Sequence, residues 1–338
     1  MKKAFVSWTR YHRRSDQLAR HLGAASHFLQ YGRHGALASA PLRYAVQAAQ
    51  TWRLLRRERP DVVLVQNPPI FAVAVAYLYA RLHGARYIID SHTGAFLSPK
   101  WRWSLGLHRL LSRRALTTIV TNEHLYSLVR GWGARATVVG FTPNDGAVAR
   151  PFPVGGQFNL AVVNTGAEDE PLAAVCEAAA RLPEATFYIT GDTSRLAAEV
   201  GARKPPNCVF TGYLPYEQYV GLLQSVDAVV DLTDRDHTLL MGAFEAVAAG
   251  TPLVVSDWPV LRSYFSRGTV HVANTADGLY EGLRRVQRDL PALRREVAAL
   301  HDQLLAEWRR SRQALLSLMG EDGQAAPGAV AEEHVDAT

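Results

Sequence analysis

The stretch TDRDHTLLMGAFEAVAAGTPLVVS, Thr233–Ser256, follows the apolar run AVVDL at Ala228–Leu232. The β-branched run ends in a polar loop, Thr233–Thr238, and apolar spacing then predicts a helix from near Leu240. Gly250 stops that helix, and Thr251-Pro252 turns the chain into a second buried strand, Pro252–Ser256. Strand, helix and strand in this order form one unit of a parallel sheet. The first amides of such a helix lack intrahelical partners and hold a phosphate without a cation. Glu245 lies about a turn and a half in, among Ala243, Phe244, Val247 and Ala248. An unpaired carboxylate there is costly. Glu245 is therefore read as the acceptor for a ribose diol rather than as a solvated surface glutamate.

The same alternation extends in both directions. Upstream, strand runs are read at Ala4–Trp8, Ser26–Tyr31, Val62–Gln66, Arg86–Asp90, Thr118–Thr121 and Ala136–Phe141, with helical patterns between them. The pattern pauses at Thr142–Gln157, which is rich in Pro and Gly, and restarts with strands at Asn159–Val163, Thr186–Thr190 and Cys208–Phe210. A last strand is read near Thr269–Val272. Beyond it lies a helical region broken by Pro291, then an Ala-, Gly- and acid-rich tail expected to be disordered. The expected fold class is α/β: two Rossmann-like αβ domains facing a central cleft, with a C-terminal helical segment. The expected limits are 1–145, a linker 146–157, 158–275, helices 276–319 and a tail 320–338. Ile70–Ala80 is read as a buried helix, too short to cross a bilayer.

The chain has 338 residues, 48% hydrophobic and 20% charged, which excludes wholesale disorder and fits two domains. Cys176 and Cys208 are its only cysteines, so a disulfide framework is excluded. The short apolar run at the start is no signal peptide, so a cytoplasmic protein is expected. Residues 1–150 carry 22 Lys and Arg against 6 Asp and Glu, a net of +16; residues 151–338 carry 15 against 25, a net of −10. The first half should therefore be drawn to something anionic. There is no GxxxxGK[ST] loop, no GxGxxG after a strand, no GxSxG elbow and no HExxH.

FEAVAAGTPLVVSD, preceded by GYLPYEQYVGLLQSVDAVVDLTD, resembles the donor-binding region of GT-B glycosyltransferases. In particular it resembles the large retaining group, family 4, whose motif has two glutamates eight positions apart. The resemblance implies that Glu245 holds the nucleotide ribose. It implies that Thr238, Leu240, Met241 and Gly242 belong to the segment whose amides bind the donor diphosphate. His237 stands where the family has its first glutamate, a contact to the donor sugar. Tyr213 and Leu214 match the turn covering the nucleobase, and Gly191 and Asp192 an earlier glycine turn. Asn164 and Thr165 open NTGAEDEP, where many members carry an Arg and a Lys. No motif implies a metal, and helix amides rather than any positive side chain are expected to carry the diphosphate charge.

In the first half, VQNPP (Val65–Pro69) and IIDSH (Ile88–His92) are similar to the inverting β-mannosyltransferases that act on dolichol-linked chitobiose. Asp90 and His92 end a strand facing the expected cleft. Asp90 is the candidate base for the acceptor hydroxyl and His92 a contact to donor sugar or phosphate; alternatively Asp90 caps a turn and His92 packs. These features lean the reading towards inversion. Ser7, Trp8 and Arg10 follow the first strand, where Arg10 reaches a phosphate or is merely solvated. Trp101, Arg102, Trp103, Arg109, Arg113 and Arg114 form a cationic, Trp-bearing segment suited to an anionic lipid interface. No nucleic-acid module is visible.

Taken together, the expectation is a metal-independent glycosyltransferase, peripheral on the inner face of the cell membrane. It would move a sugar from a UDP- or GDP-sugar to a polyprenyl-linked acceptor in cell-surface glycan synthesis. The alternatives are a non-catalytic nucleotide-sugar- or lipid-binding partner subunit and a nucleotide-sugar epimerase.

Overall fold

The computed structural model describes residues 1–32, 40–143, 148–201 and 204–321. The start of the expected linker and most of the expected disordered tail lie outside these residues. Among the described residues the strands form two six-stranded parallel sheets. The first holds β1 (Lys3–Ser7), β2 (Ala25–Phe28), β3 (Val62–Asn67), β4 (Arg86–Ser91), β5 (Thr118–Val120) and β6 (Ala136–Val138) in the order 2-1-3-4-5-6. The second holds β7 (Phe158–Val163), β8 (Ala185–Thr190), β9 (Cys208–Gly212), β10 (Ala228–Asp231), β11 (Leu253–Ser256) and β12 (Thr269–Val272) in the order 12-11-10-7-8-9. Central strands are buried along their whole length, as VVLVQN of β3 and LVVS of β11 are. A parallel strand covered on both faces has no polar side to show, which is why these runs are continuous rather than alternating.

Helices cover the sheets. In the first lobe they are α1 (Arg13–His21), α2 (Ala40–Glu58), α3 (Ile70–His83), α4 (Gly94–Leu97), α5 (Leu105–Ser112) and α6 (Glu123–Gly131). In the second they are α7 (Leu172–Ala180), α8 (Thr193–Val200), α9 (Tyr216–Ser225), α10 (Met241–Ala249) and α11 (Pro259–Tyr264). Local chemistry sets several ends. The Asn122 side chain accepts the Leu125 N–H at the start of α6, and Gly250 ends α10 in the left-handed region at φ 76°. Both cysteines are buried, and neither is in a disulfide.

The last element corrects the sequence reading. Residues Ala276–Met319 form one helix, α12, that runs through Pro291. Proline removes one N–H from the helix ladder. Burial on both sides of it, at Val286, Leu293 and Val297, outweighs that loss. The helix begins on the second sheet and ends on the first lobe. Trp308 packs edge-on against His21, Arg312 Nε donates to the His21 carbonyl at 2.8 Å, and Arg86 donates to the Met319 carbonyl at 2.7 Å. Other bridges join the lobes: the Tyr264 hydroxyl donates to the Thr121 carbonyl, and Phe141 meets Phe244 at 5.6 Å. The strap should matter energetically. Trp308→Ala is expected to cost about 3–5 kcal/mol in denaturant unfolding, against about 0.5 kcal/mol or less for the exposed Trp103→Ala.

Candidate active site

The carboxyl ends of β7, β8, β9 and β10 converge on a cavity of about 690 Å³ that opens towards the first lobe. Its wall includes Asn164, Thr165, Gly191, Tyr213, Leu214, Thr238, Leu240, Met241, Gly242 and Glu245. These residues come from five separate stretches, and the sheet order brings them together. Gly191 is required by close approach: at φ 110°, a Cβ there would lie 2.2 Å from the Asn164 carbonyl oxygen. Gly242 is required in the same way, since its Cβ would stand 2.6 Å from Asp231 Oδ2 and 2.7 Å from Val163.

The helix start predicted to receive a phosphate is present. Leu240 is the N-cap of α10 and offers no side-chain cap. One amide, that of Ala243, is already taken by Asp231 Oδ2 at 2.8 Å. Asp231 is buried at the end of β10, and burial pushes its carboxyl up to about 8. The Ala243 N–H pulls the other way, while Glu170 and Glu245 reinforce the rise. Burial therefore favours the neutral form of this group and lessens its repulsion of a phosphate. Glu245 is also pushed up by burial, opposed by a hydrogen bond from the Tyr219 hydroxyl and by the charge of Arg13.

Arg13 is the cation that the sequence reading missed. It opens α1 in the first lobe, yet it lines the cavity of the second, with its guanidinium 2.9 Å from the Tyr216 ring centroid. The expectation that helix amides alone face the diphosphate did not foresee a guanidinium in the cavity wall. The signal was the run HRR at His12–Arg14, one step beyond the Arg10 that was considered. Tyr216, Tyr219 and Asp231 line the cavity as well and were not foreseen, since no motif in the sequence marks them.

Several expected residues serve other ends. His237 is absent from the cavity wall. It holds φ 58° and stacks on His124 of α6 at 3.8 Å, while its carbonyl accepts from Asn122 Nδ2 at 2.8 Å. It is an interlobe contact. Asp192 accepts the Ser194 amide and hydroxyl and caps α8. Ser7 is buried and hydrogen-bonds Gln66, and Trp8 is buried with its Nε1 donating to Thr51. Arg10 is exposed and outside the wall. Trp101 is buried, whereas Trp103 is 63% exposed, and Arg102, Arg109, Arg113 and Arg114 are all exposed. The acidic loop Ala167–Pro171 is internally satisfied: Glu170 accepts the amides of Thr165 and Ala167, and Asp169 pairs with Arg235 at 3.0 Å.

On the first lobe, Asp90 ends β4 at 1% exposure. Both its oxygens accept from Arg14 Nη1, at 2.8 and 3.0 Å, and His92 Nε2 lies 3.1 Å away. Burial pushes the carboxyl up, but Arg14 and His92 outweigh it and hold it below the ordinary range. Arg14 and His92 thus hold the carboxylate charged and fix its orientation at the end of the strand. His92 remains partly exposed, with its ring 4.8 Å from that of His12. Burial lowers His12 to about 4, so that ring is neutral and caps α1 by accepting from Ser15. Among the described residues no cluster of His, Cys, Asp and Glu is arranged to hold a metal ion.

Two facing Rossmann-like domains with a cavity at the strand ends define the GT-B fold, and solved structures of that shape agree. Sucrose-phosphate synthase from Thermosynechococcus elongatus superposes with a TM-score of 0.74 at 13% identity, covering 95% of this chain and 99% of its own. Anabaena HepE in complex with UDP and glucose gives 0.71 at 12% identity, over 94% and 100%. A glycosyltransferase from Rickettsia africae gives 0.69 at 11%, over 95% and 98%. No curated protein matches the sequence. Residues 5–145 match the family described as glycosyl transferase 4-like domain, and residues 171–315 match a glycosyl transferase-like family. With a glycosyltransferase domain match in each lobe, the chain belongs to the GT-B glycosyltransferases of the family-4-like type. The narrower likeness to chitobiose β-mannosyltransferases finds no support here, nor does the lean towards inversion.

The titration of Asp231 has a measurable consequence. Its folded value of about 8 stands above the ordinary 3.8, so folding takes up a proton between these limits. Stability therefore falls as pH rises from about 4 to about 8. Asp231→Asn should abolish that slope, with its Tm gaining on the wild type through this range. An equal gap at pH 4 and pH 8 would refute the protonated state.

Proposed function

We propose that the cavity holds a nucleotide diphosphate sugar with its pyrophosphate between the start of α10 and the guanidinium of Arg13. Glu245 takes the ribose diol, and Tyr213 and Leu214 border the base. The observation that carries this reading is the entry of Arg13 from one lobe into a cavity built by the other, beside the uncapped start of α10. A helix start and a guanidinium together match the charge and geometry of a diphosphate. UDP is the first nucleotide to test, since HepE of the same fold is bound to it. UDP should raise the Tm of the wild type, because a ligand that binds only the native state stabilises it. Arg13→Gln and Glu245→Ala should each weaken UDP binding about tenfold or more, with the unliganded Tm little changed. No shift with UDP, GDP or their sugars would end the proposal.

The sugar then points towards the first lobe. Asp90 and Arg14 fix the ring of His92, which hydrogen-bonds the sugar undergoing transfer. His92→Ala should lower kcat about a hundredfold or more with donor binding preserved. Asp90→Ala should instead cost about 3–5 kcal/mol in stability by leaving Arg14 buried and unpaired.

The acceptor comes from the basic lobe, and we place it on an anionic membrane surface as a lipid-linked saccharide in cell-surface glycan synthesis. No helix among the described residues is long and apolar enough to cross a membrane. Association would therefore run through the exposed Trp103 and its neighbouring arginines. Retention on anionic vesicles, weakened by salt, supports this placement; binding to none would direct the search to a soluble acceptor.

A further inference from the structure

Away from the cleft, the first lobe carries a second concave feature. The far ends of α3 and α5 and the starts of β4 and β6 enclose a groove of about 720 Å³. Arg81, Arg86, Arg113, Arg114 and Arg135 all line it, and no carboxylate does. Among the described residues none of the five is ion-paired. Arg86, Arg113 and Arg114 are steadied by backbone carbonyls, those of Met319, Trp132 and Leu110. Each such bond uses one donor of a guanidinium that has five, so the groove keeps most of its donors. Five like charges around one depression repel each other, and an anion relieves the repulsion.

The helices that supply the groove also carry exposed apolar side chains, which narrows the choice of anion. On α3, Leu78 and Leu82 are 49% and 63% exposed, although the sequence pattern reads this helix as buried. On the neighbouring segment Trp103, Leu107 and Leu110 are also exposed. Phe71 of α3 packs against Trp103, which precedes α5, and Arg114, which follows α5, lies over the Tyr77 ring of α3. Exposed leucines one helical turn apart, beside unpaired arginines, suit neither a nucleic acid nor a free polyanion in water. They suit a surface where acyl chains lie next to phosphates.

We propose that this groove binds the phosphate of an anionic phospholipid headgroup while Leu78, Leu82, Leu107, Leu110 and Trp103 enter the acyl boundary. The inference rests on the membrane reading above and adds to it a defined headgroup site. Full-length protein would be floated with phosphatidylcholine vesicles with or without phosphatidylglycerol. Wild type should bind only the anionic vesicles. Arg81→Gln with Arg135→Gln should bind them roughly thirtyfold more weakly, at about 1 kcal/mol per arginine near the surface. Arg20→Gln with Arg130→Gln removes the same formal charge elsewhere on the lobe and should lose far less. Stabilisation by UDP should be equal in all three proteins, which shows that the variants fold. Equal losses in the two double variants would reduce the groove to bulk charge and overturn the proposal. Equal vesicle binding by wild type and the groove variant, with inorganic phosphate or an acidic peptide stabilising only the wild type, would assign the groove to a soluble anion or a protein segment and also overturn it. Failure of wild type to bind any anionic vesicle, with sugar transfer to a soluble acceptor intact, would sink the membrane reading itself.

Discussion

The buried pair between Arg14 and Asp90 fixes the geometry on which the site depends. It fastens the first turn of α1 to the end of β4, and a further bond from Arg14 to the Val139 carbonyl at 2.9 Å adds the strand that leads towards the second lobe. A buried pair of this kind gains little over a well-packed apolar pair, but it tolerates only one arrangement of its partners. Its neighbours in sequence are placed as a consequence. His12 turns towards His92 on the first lobe, and Arg13 turns towards the cavity of the second. One helical turn thus serves both halves of the cleft.

The cavity itself combines opposite tendencies. It is rich in carboxyl groups, yet its proposed ligand is an anion. Burial eases the conflict by pushing both Asp231 and Glu245 up, which disfavours a full negative charge on either. Glu170 is satisfied by amides of its own loop, and Asp169 by Arg235 and the Thr233 hydroxyl. The lobe that holds most of the acid therefore still presents Arg13 and the start of α10 to the cleft.

Charge on the first lobe is organised differently. Its arginines are largely on the outer surface, and five of them ring one groove without a carboxylate among the lining residues. The net of +16 in residues 1–150 is thus a located surface property more than a property of the cleft. The long strap α12 spans both lobes, and its end lies beside the basic groove, where Arg86 holds the Met319 carbonyl.

The sequence by itself determined the alternation of strands and helices, the two-lobed fold and most of the wall around Glu245. Local signals are enough there: continuous apolar runs mark strands buried on both faces, and a glycine after a helix marks where it ends. It also determined that the first half is basic. Only the tertiary structure decided which residues meet across the cleft. Arg13 and Tyr216 are some two hundred positions apart, and no local pattern distinguishes an arginine that crosses to the other lobe from one in water. Packing likewise decided that Asp90 is paired with Arg14, that burial pushes the Asp231 carboxyl up, that His237 joins the lobes and that Trp103 rather than Trp101 faces outward. Each of these outcomes depends on what surrounds a side chain in three dimensions, and the dielectric and partners met there are fixed by packing between distant segments rather than by neighbours along the chain.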